Sequence, residues 1–342
     1  MSDAAGNGEG RLFDIDDRRD LLARPDVSIV ILVRNNLAHT RACIESVRAN
    51  TRGYECVVVD NGSTDATPAY LKALVAEEPH RFVVARSETN LGFAAGVNLG
   101  ILLSAGERVC LLNNDTRVPE GWLWRLRAFL DADPALGAVG PMTNAAGGTI
   151  QEVKVPEALP DHLDAADRQW FARHLGPVRR VHRLVGFCLL LSRRAVDAVG
   201  GLDVRFGLGN FEDDDLGLRI QLAGLALGMV ESVLVYHRGS ATFASERIDY
   251  RSSLMDAWRV FKDKWDLSPD LAYGSLPIGQ ILAEHGPADA YLPPVWEFSA
   301  DTLARVAETY LHRGQEQEAL RVVTFGRAHF PEAFARLDAG AQ

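Results

Sequence analysis

Long apolar runs are absent from this sequence of 342 residues. The longest one, LVGFCLLL at residues 184–191, is much shorter than the roughly 20 residues that a membrane-spanning helix needs. The first residues, MSDAAGNGEG, contain neither a basic start nor an apolar segment, so we expect no signal peptide. These absences predict a cytoplasmic protein without a transmembrane segment, and they leave peripheral contact with a membrane open.

Cysteine is also scarce. The four cysteines, Cys43, Cys56, Cys110 and Cys188, stand apart from one another, each within an apolar stretch. A disulfide framework or a zinc site needs cysteines at short, repeated spacings, whereas isolated cysteines in apolar surroundings are typical of buried thiols. The pattern therefore predicts free thiols and a reducing compartment.

Basic residues are outnumbered, since 36 Lys and Arg face 46 Asp and Glu, for a formal charge of −10. Nonspecific binding to nucleic acids depends on clustered basic side chains, so we expect no nucleic-acid partner. A nucleotide ligand is still compatible with this charge, because a bound metal can neutralise its phosphates. The length and the apolar fraction of 47% predict a main globular domain with a smaller one appended.

Strand-like and helix-like segments alternate after a polar N-terminal stretch. Such βαβ alternation predicts an α/β domain with a mainly parallel sheet covered by flanking helices. Continuous runs of Val, Ile and Leu are typical of strands that are buried on both faces. The predicted strands begin at Val27, Cys56, Phe82 and Val109, and the predicted helices cover about 37–49, 67–78 and 93–104.

We expect four parts in the chain: a flexible tail at 1–26, the α/β domain at 27–245, a helical extension and linker at 246–294, and a helical segment at 295–342. The last part is similar to one tetratricopeptide repeat. A single repeat cannot bury its apolar face alone, so it would pack on the α/β domain, on a second chain in a homo-oligomer or on a protein partner. An ordinary helical hairpin fits the same segment. The residues at repeat-like positions are Val306, Ala307, Tyr310, Gly314, Ala319 and Pro331.

Acidic and imidazole side chains follow several of the predicted strands. Asp60 lies in VVVDNGSTD, Asp115 in CLLNNDTRV and His237 in VLVYHRGS. Sheets of α/β proteins place ligands just beyond the carboxyl ends of their strands, so these residues are candidates for a binding site. A fourth motif, NFEDDDLGLR, has four acids at a predicted helix start, and the helix dipole explains part of that enrichment.

Together with NLGFAAGVN at residues 90–98, these motifs resemble those of the family 2 glycosyltransferases, which have the GT-A fold, and the likeness covers about residues 27–243. The resemblance implies transfer of a sugar from a UDP-, dTDP- or GDP-linked donor to a hydroxyl acceptor, with inversion at the anomeric carbon. It also implies Mn²⁺ or Mg²⁺ as a cofactor. No G-x-G-x-x-G motif follows the first strand, which argues against a dinucleotide-binding fold.

The resemblance further implies which residues bind the donor. Asp60 would accept a hydrogen bond from the nucleobase, although a turn-stabilising aspartate is the simpler interpretation of this residue alone. The glycines near residue 93 would let the backbone and a helix N-terminus approach the phosphates. The implied donor-binding residues are Val33, Asn35, Asp60, Asn90, Gly92, Gly96, Asn98, Asn113, Asn114 and Asp115.

Asn113, Asn114 and Asp115 occupy the position of the family's Asp-x-Asp motif. A diphosphate beside carboxylates requires a divalent cation with oxygen ligands between them. The motif here is Asn-Asn-Asp, so Asp115 is its only strong anionic ligand. His237 matches the family's C-terminal histidine, and the resemblance implies Asp115 and His237 as the metal ligands.

The acids of NFEDDDLGLR carry the implied catalysis. Asp213 would be the general base that removes the acceptor's hydroxyl proton, and Glu212 would orient it. Asp215 and Arg219 are expected to make local helix contacts. The glycines just before these acids, at residues 207–210, predict a mobile loop that closes over the substrates.

The sequence leaves the acceptor open. A glycan, a lipid-linked saccharide and a small molecule are all compatible with it. Alternatives are a peptide or protein side chain, recruited by the C-terminal segment, and a scaffold whose transferase fold is catalytically weakened. We expect acceptor contacts in loops at about residues 141–180, where Trp170 and Phe171 would stack on a sugar or occupy the core.

Overall fold

The computed structural model describes residues 25–147, 149–155, 159–239 and 249–292, together with 303–304, 307, 311, 316–332 and 334. Strands and helices alternate over residues 27–112 as predicted. The strands are β1 (Val27–Val33), β2 (Tyr54–Asn61), β3 (Phe82–Ser87), β4 (Arg108–Leu112), β5 (Thr116–Arg117), β6 (Leu136–Thr143), β7 (Arg179–Val181), β8 (Cys188–Ser192) and β9 (Ala226–His237). The α-helices are α1 (Leu37–Asn50), α2 (Thr67–Glu77), α3 (Phe93–Leu103), α4 (Trp122–Ala132), α5 (Leu163–Arg173), α6 (Arg193–Val199), α7 (Glu212–Leu222), α8 (Tyr250–Lys264), α9 (Ile278–Glu284) and α10 (Glu316–His329).

A mixed sheet runs through the described residues in the order β3-β2-β1-β4-β8-β6-β9-β5, and β7 pairs with β9. Strands β1 to β4 are parallel to one another, whereas β8 is antiparallel to both of its neighbours, β4 and β6. Strand β9 is parallel to β6 and therefore runs in the same direction as β4. The carboxyl ends of β2, β4 and β9 consequently open at one edge of the sheet, where ligands of α/β proteins bind.

Burial on both faces explains why the central segments form strands. Every residue of β2 is buried, and in β1 only Leu32 is partly exposed. Consecutive residues of β1, such as Val30 and Ile31, belong to different apolar clusters on the two faces of the sheet. Helices cover both faces, because neither face of such a strand tolerates water.

Helix α3 approaches β1 closely because two of its glycines face the strand. A Cβ atom on Gly96 would lie 2.4 Å from Leu32, and one on Gly100 would lie 2.2 Å from Val30. Protein interiors are packed densely enough that a larger side chain at either glycine would push the helix away from the sheet. These glycines therefore set the position of α3 and of the loop that precedes it.

Several elements lie in regions where the sequence shows no clear periodicity. Strand β6 lies inside the sheet, and α5 packs against β9. The predicted linker contains α9, whose fully buried Ile281 belongs to an apolar cluster with residues of α7 and α8. A strand such as β6, which is buried on both faces and contains glycine and proline, has no alternation for a periodicity analysis to detect.

The C-terminal helix α10 packs on α3 of the α/β domain. Its Ala319, Val322 and Val323 are buried in the same apolar cluster as Leu99 of α3. The α/β domain, one of the predicted packing partners of this segment, thus contacts it in the structure. The likeness to a tetratricopeptide repeat is not confirmed and stays a prediction. Three of its positions, Val306, Tyr310 and Gly314, lie outside the described residues.

The four cysteines are buried and free, as predicted. Burial raises the pKa of the Cys43 thiol to about 12, so this side chain stays neutral and poorly nucleophilic. None of the helices in the described parts of the chain combines the length and apolar character needed to cross a membrane.

Candidate active site

A cavity of about 590 Å³ opens at the carboxyl edge of the sheet, within the size range of small-molecule sites. Its walls come from both halves of the α/β domain and from the segment that begins at α8. The cavity brings together eight of the predicted site residues: Asn90, Gly92, Asn113, Asn114, Asp115, Glu212, Asp213 and His237.

Strand pairing places Asp115 beside His237. Thr116 of β5 pairs with His237 at the end of β9, so the residue before Thr116 meets the imidazole ring. Asp115 Oδ1 lies 3.2 Å from His237 Nε2, and Asn113 Nδ2 lies 3.5 Å from the same nitrogen. The other ring nitrogen, Nδ1, lies 2.8 Å from the carbonyl oxygen of Ala145 and must carry a proton, because a carbonyl oxygen only accepts.

This arrangement fits a divalent cation. With Nδ1 protonated toward Ala145, Nε2 supplies the lone pair that binds a metal once it is deprotonated. Burial lowers the pKa of His237, but the hydrogen bond and charge of Asp115 outweigh burial and raise that pKa overall. Burial raises the pKa of Asp115, and the contact with His237 more than reverses this shift. Both shifts in pKa indicate a strong interaction between the Asp115 carboxylate and the His237 ring.

Within the described ranges, no group of three or more His, Cys, Asp or Glu side chains is arranged to hold a metal ion. Asp115 and His237 would therefore supply two ligands, and the others would be diphosphate oxygens and water. Mg²⁺ sites commonly combine one or two carboxylates with substrate phosphates in this way.

Asp213 is presented to the cavity by the turn that precedes α7. Its Oδ2 accepts a hydrogen bond from the backbone N–H of Gly186 at 2.7 Å, and its Oδ1 accepts one from the N–H of Asp214 at 2.9 Å. Asn210 and Phe211 have φ values of 79° and 67°. Left-handed backbone at non-glycine residues is strained and is concentrated at functional sites.

The next two aspartates are engaged elsewhere. Arg183 donates to both carboxylate oxygens of Asp214, at 2.5 and 2.9 Å. Burial and the charge of Asp213 nevertheless raise the pKa of Asp214 to about 7. Asp215 is fully buried and contacts Arg219 at 2.8 Å, the local helix contact that the sequence predicts. The three aspartates therefore contact different partners. The helix dipole alone does not explain this difference, because it acts on all neighbouring acids alike.

Glu212 lies deeper in the cavity wall and is only 7% exposed. Its Oε2 atom is buried and has no hydrogen-bond partner within the described part of the chain. Burial, and then the charge of Asp213, raise the pKa of Glu212 well above its usual range. Burial therefore favours the protonated form of Glu212. Its predicted role in orienting Asp213 stays a prediction.

A hydrogen-bonded loop forms another part of the wall. Asn61 Nδ2 donates to Asn90 Oδ1 at 2.9 Å and to the carbonyl oxygen of Gly92 at 3.0 Å. The backbone N–H of Phe93, the first residue of α3, donates to the carbonyl oxygen of Gly207 at 2.8 Å. Residues 90–92, which we call the donor loop because the resemblance implies that they bind the donor, are thus joined directly to the loop that leads to the acids of α7.

Asp60, Asn35 and Val33 lie near this edge but do not line the cavity. Asp60 is 1% exposed, and its two oxygens accept from the Ser63 N–H at 2.9 Å and from Arg86 at 2.5 Å. Asn35 Oδ1 accepts from the backbone of the same turn at 2.8 Å, and Val33 is buried opposite Asp60 in the strand pair. A nucleobase at this edge would meet an Asp60–Arg86 pair rather than a free carboxylate.

Gly96 and Asn98 are buried inside the domain and are not part of the cavity wall. Asn98 Nδ2 donates to the carbonyl oxygen of Leu202 at 2.8 Å, and its Oδ1 accepts from the Leu202 N–H at 2.6 Å. Gly96 gives α3 room against Leu32. Their positions support a structural role and do not support the direct donor contact that the resemblance implied.

The wall also contains polar and aromatic residues that the sequence analysis did not predict, among them Arg34, Arg183, Tyr250 and Tyr273. Arg34 directly follows β1, and its place beyond a strand was a usable signal. Arg183 is 31 residues from its partner Asp214, a separation that no local pattern reveals. The two tyrosines come from beyond the predicted end of the α/β domain, where nothing in the sequence indicates contact with the site.

The region at 141–180 reaches the cavity, within its described residues, only at 145–147. Trp170 Nε1 donates to the carbonyl oxygen of Glu231 at 2.6 Å, and its ring stacks on His174 at 3.7 Å. The guanidinium of Arg125 lies 5.1 Å from the centre of the Phe171 ring. Both aromatic residues lie on α5, which packs against β9, so neither contacts the candidate site.

Residues 28–200 match the family model described as "Glycosyl transferase family 2". A pre-mycofactocin glycosyltransferase of Mycobacterium tuberculosis is 29% identical over 237 residues, or 68% of this chain and 44% of that protein. An N-acetylglucosaminyl-diphospho-decaprenol L-rhamnosyltransferase of the same species is 30% identical over 222 residues, or 57% of this chain and 70% of that protein. The chain spans 25% to 56% of the length of the first curated relatives that it matches.

Among solved structures, GalNAc-T7 with UDP, GalNAc and Mn²⁺ superposes with a TM-score of 0.52 at 16% identity, covering 76% of this chain and 54% of that one. At such identity the likeness concerns the fold alone. It agrees with the predicted GT-A architecture of a central sheet with flanking helices, which the structure confirms. Since the family match spans just over half of the 342 residues, this chain belongs to glycosyl transferase family 2.

Proposed function

We propose that this protein is a metal-dependent, inverting glycosyltransferase that moves a sugar from a nucleotide-sugar to a hydroxyl acceptor. The observation that carries the proposal is that one cavity contains both the Asp115–His237 pair and Asp213. The first suits a cation that neutralises a diphosphate, and the second suits a base. Family membership supports the reaction class.

The donor would lie with its diphosphate near Asp115 and His237. These residues would hold Mn²⁺ or Mg²⁺, which supplies charge neutralisation for the departing diphosphate. The N-terminus of α3 lies at the cavity wall beside Asn90 and Gly92, and the positive end of its helix dipole favours a nearby phosphate. Solved relatives in fold contain UDP with Mn²⁺ in one case and UDP-GlcNAc in another, which supports a nucleotide-sugar as the donor class.

Asp213 would act on the acceptor. The N–H groups of Gly186 and Asp214 hold its carboxylate in place. As the acceptor oxygen attacks the anomeric carbon, Asp213 accepts the hydroxyl proton and the bond between the sugar and the diphosphate breaks. Because attack and departure occur on opposite faces of the carbon, the anomeric configuration is inverted.

The donor site is tested with UDP-, GDP- and dTDP-sugars by thermal shift and calorimetry, with and without Mn²⁺. A ligand that binds only the folded protein raises its melting temperature by mass action. We expect one nucleotide class to stabilise the protein in the presence of Mn²⁺, and Asp115→Ala or His237→Ala to abolish that metal-dependent binding while the fold is kept.

Asp161→Ala is the matched control, because its side chain is 79% exposed and lies outside the cavity. Unchanged donor affinity in both the Asp115 and His237 variants would rule out the metal assignment. If no nucleotide-sugar is bound or hydrolysed with either Mn²⁺ or Mg²⁺, the protein is a scaffold with a transferase fold.

A further inference from the structure

One part of the cavity wall is apolar and has no role in the donor site or in the base. Leu208, Tyr250 and Tyr273 are 39%, 43% and 52% exposed. They line the cavity together with Leu254 and Leu276. Large apolar side chains that are open to solvent within a concave site usually mark a surface for a ligand.

The two tyrosines are ordered by the protein itself. Tyr273 stands edge-on to Phe211 and Trp258, with ring centres 6.1 and 6.2 Å apart. The hydroxyl of Tyr250 donates to Asn210 Oδ1 at 3.3 Å. Since these contacts already restrict both rings, a ligand that packs on them loses little affinity to side-chain ordering.

The tyrosines are close to the acids of α7. Burial raises the pKa of Tyr250, and the charges of Tyr273, Asp213 and Glu212 raise it further. The buried Oε2 atom of Glu212 has no partner within the described residues, and Glu212 lines the same cavity. A neutral carboxylic acid both donates and accepts hydrogen bonds, and so does a sugar hydroxyl.

The charges here disfavour an anionic acceptor. Asp213 faces the cavity with backbone N–H partners, and Arg183, a basic side chain of the cavity wall, is bound to both oxygens of Asp214. A phosphate-bearing acceptor would approach the Asp213 carboxylate, and the guanidinium of Arg183 already binds another carboxyl group. Like charges placed together in a cleft repel.

We propose that this wall is the acceptor subsite and that it takes a neutral pyranoside. Tyr250 and Tyr273 pack on a C–H face of the ring, and Glu212 hydrogen-bonds to the hydroxyl next to the one that Asp213 deprotonates. A lipid chain would leave Glu212 without a partner, and a serine or threonine side chain has no second hydroxyl to offer it. The inference rests on the proposed function, because it takes Asp213 as the base.

The test uses the full chain without donor or metal. Methyl α- and β-pyranosides of glucose, galactose, mannose and rhamnose are titrated by saturation-transfer NMR, beside glycerol 3-phosphate and N-acetylserine methylamide. We expect at least one pyranoside to bind. Tyr273→Ala should weaken it about fivefold, on the scale of one aromatic contact, Glu212→Ala should also weaken it, and Tyr273→Phe should keep it.

Tyr291→Ala is the matched control, since Tyr291 is 54% exposed and lies outside the cavity; it should bind like the unmodified chain. The melting temperature of each variant checks that it is folded. The proposal is overturned if no pyranoside binds, if Tyr273→Ala binds as well as the unmodified chain, or if only glycerol 3-phosphate or the serine derivative binds. If the pyranoside proposal is wrong, the protein still binds the nucleotide-sugar with Mn²⁺. If the proposed function is wrong, the nucleotide-sugar titration shows no metal-dependent binding.

Discussion

Asp213, Asp214 and Asp215 are neighbours in the sequence but meet different partners. We expect Asp213→Asn to keep donor binding and to lower turnover by roughly 10²-fold or more, the scale of general-base catalysis. The physical reason is that an amide cannot accept the acceptor's proton, while it keeps the shape of the side chain. Steady-state kinetics and donor calorimetry on the same variant separate the two effects.

Asp214→Asn is the internal control for this prediction. It removes the negative charge that pairs with Arg183, so it should affect stability more than turnover. If Asp214→Asn abolishes transfer while Asp213→Asn stays active, the assignment of the base is wrong by one residue. If neither variant slows transfer, the base lies elsewhere.

Gly92 is required by both its conformation and its surroundings. Its φ is 84°, and a Cβ atom would lie 2.6 Å from the carbonyl oxygen of Gly207, in the loop that leads to the acids. Gly92→Ala should therefore lower the free energy of unfolding for two reasons. The left-handed backbone conformation costs roughly 1–2 kcal/mol, and the steric clash adds about 1–3 kcal/mol. The substitution should also slow turnover. Denaturant unfolding and kinetics measure both.

The control is Gly224→Ala, because Gly224 has a φ of 79° and nothing within 4 Å of the added Cβ. It reports the conformational cost alone. Equal losses of stability in the two variants would show that the contact between the donor loop and Gly207 contributes nothing.

Helix α8 is tied to the α/β domain by a buried charge network. Lys264, near its end, lies 2.9 Å from Asp203 and 2.6 Å from Asp215. Burial raises the pKa of Asp203, but the hydrogen bond from Arg205 and the charge of Lys264 outweigh it, and the net pKa lies well below the usual value. The network thus connects the segment that supplies the tyrosines to helix α7.

The pKa of Asp203 is lower in the folded protein than in the unfolded chain, where an aspartate has a pKa of about 3.9. Its ionised carboxylate therefore adds to the free energy of unfolding at any pH above about 3.9. This contribution is lost as the pH falls toward the folded-state pKa. We expect Lys264→Met to lower the free energy of unfolding most at neutral pH, and the deficit to shrink below about pH 4. Urea unfolding at several pH values measures this. The control is Arg259→Met, which removes an exposed ion pair and should have little effect. If the loss of unfolding free energy in Lys264→Met is the same at every pH, the proposed charge network is excluded.

The C-terminal helix is part of the folded unit. Val323 is 2% exposed and lies in the cluster that α10 shares with α3, so Val323→Asp should destabilise the protein by about 3 kcal/mol or more, as expected for a buried unpaired charge. Thr324→Asp is the control, because Thr324 is exposed in the same helix. An unchanged melting temperature for Val323→Asp would show that this segment is an independent appendage.

The α/β alternation, the burial of the four cysteines and the places of Asp115, Asp213 and His237 at the ends of predicted elements were all readable from the sequence. These features depend on local composition, because a strand that is buried on both faces must be apolar throughout and polar residues collect where it ends. The chain alone therefore indicated the family and eight of the residues that line the cavity.

Contacts between distant segments were decided by the tertiary structure. The pairing of β5 with β9 brings Asp115 to His237, and Arg183 finds Asp214 across the cavity wall. The same level of structure places Asn98 against Leu202, away from the cavity, and turns Tyr250 and Tyr273 toward it. Periodicity reports whether a side chain is buried and not which neighbour it meets, and that identity follows only from strand order and register.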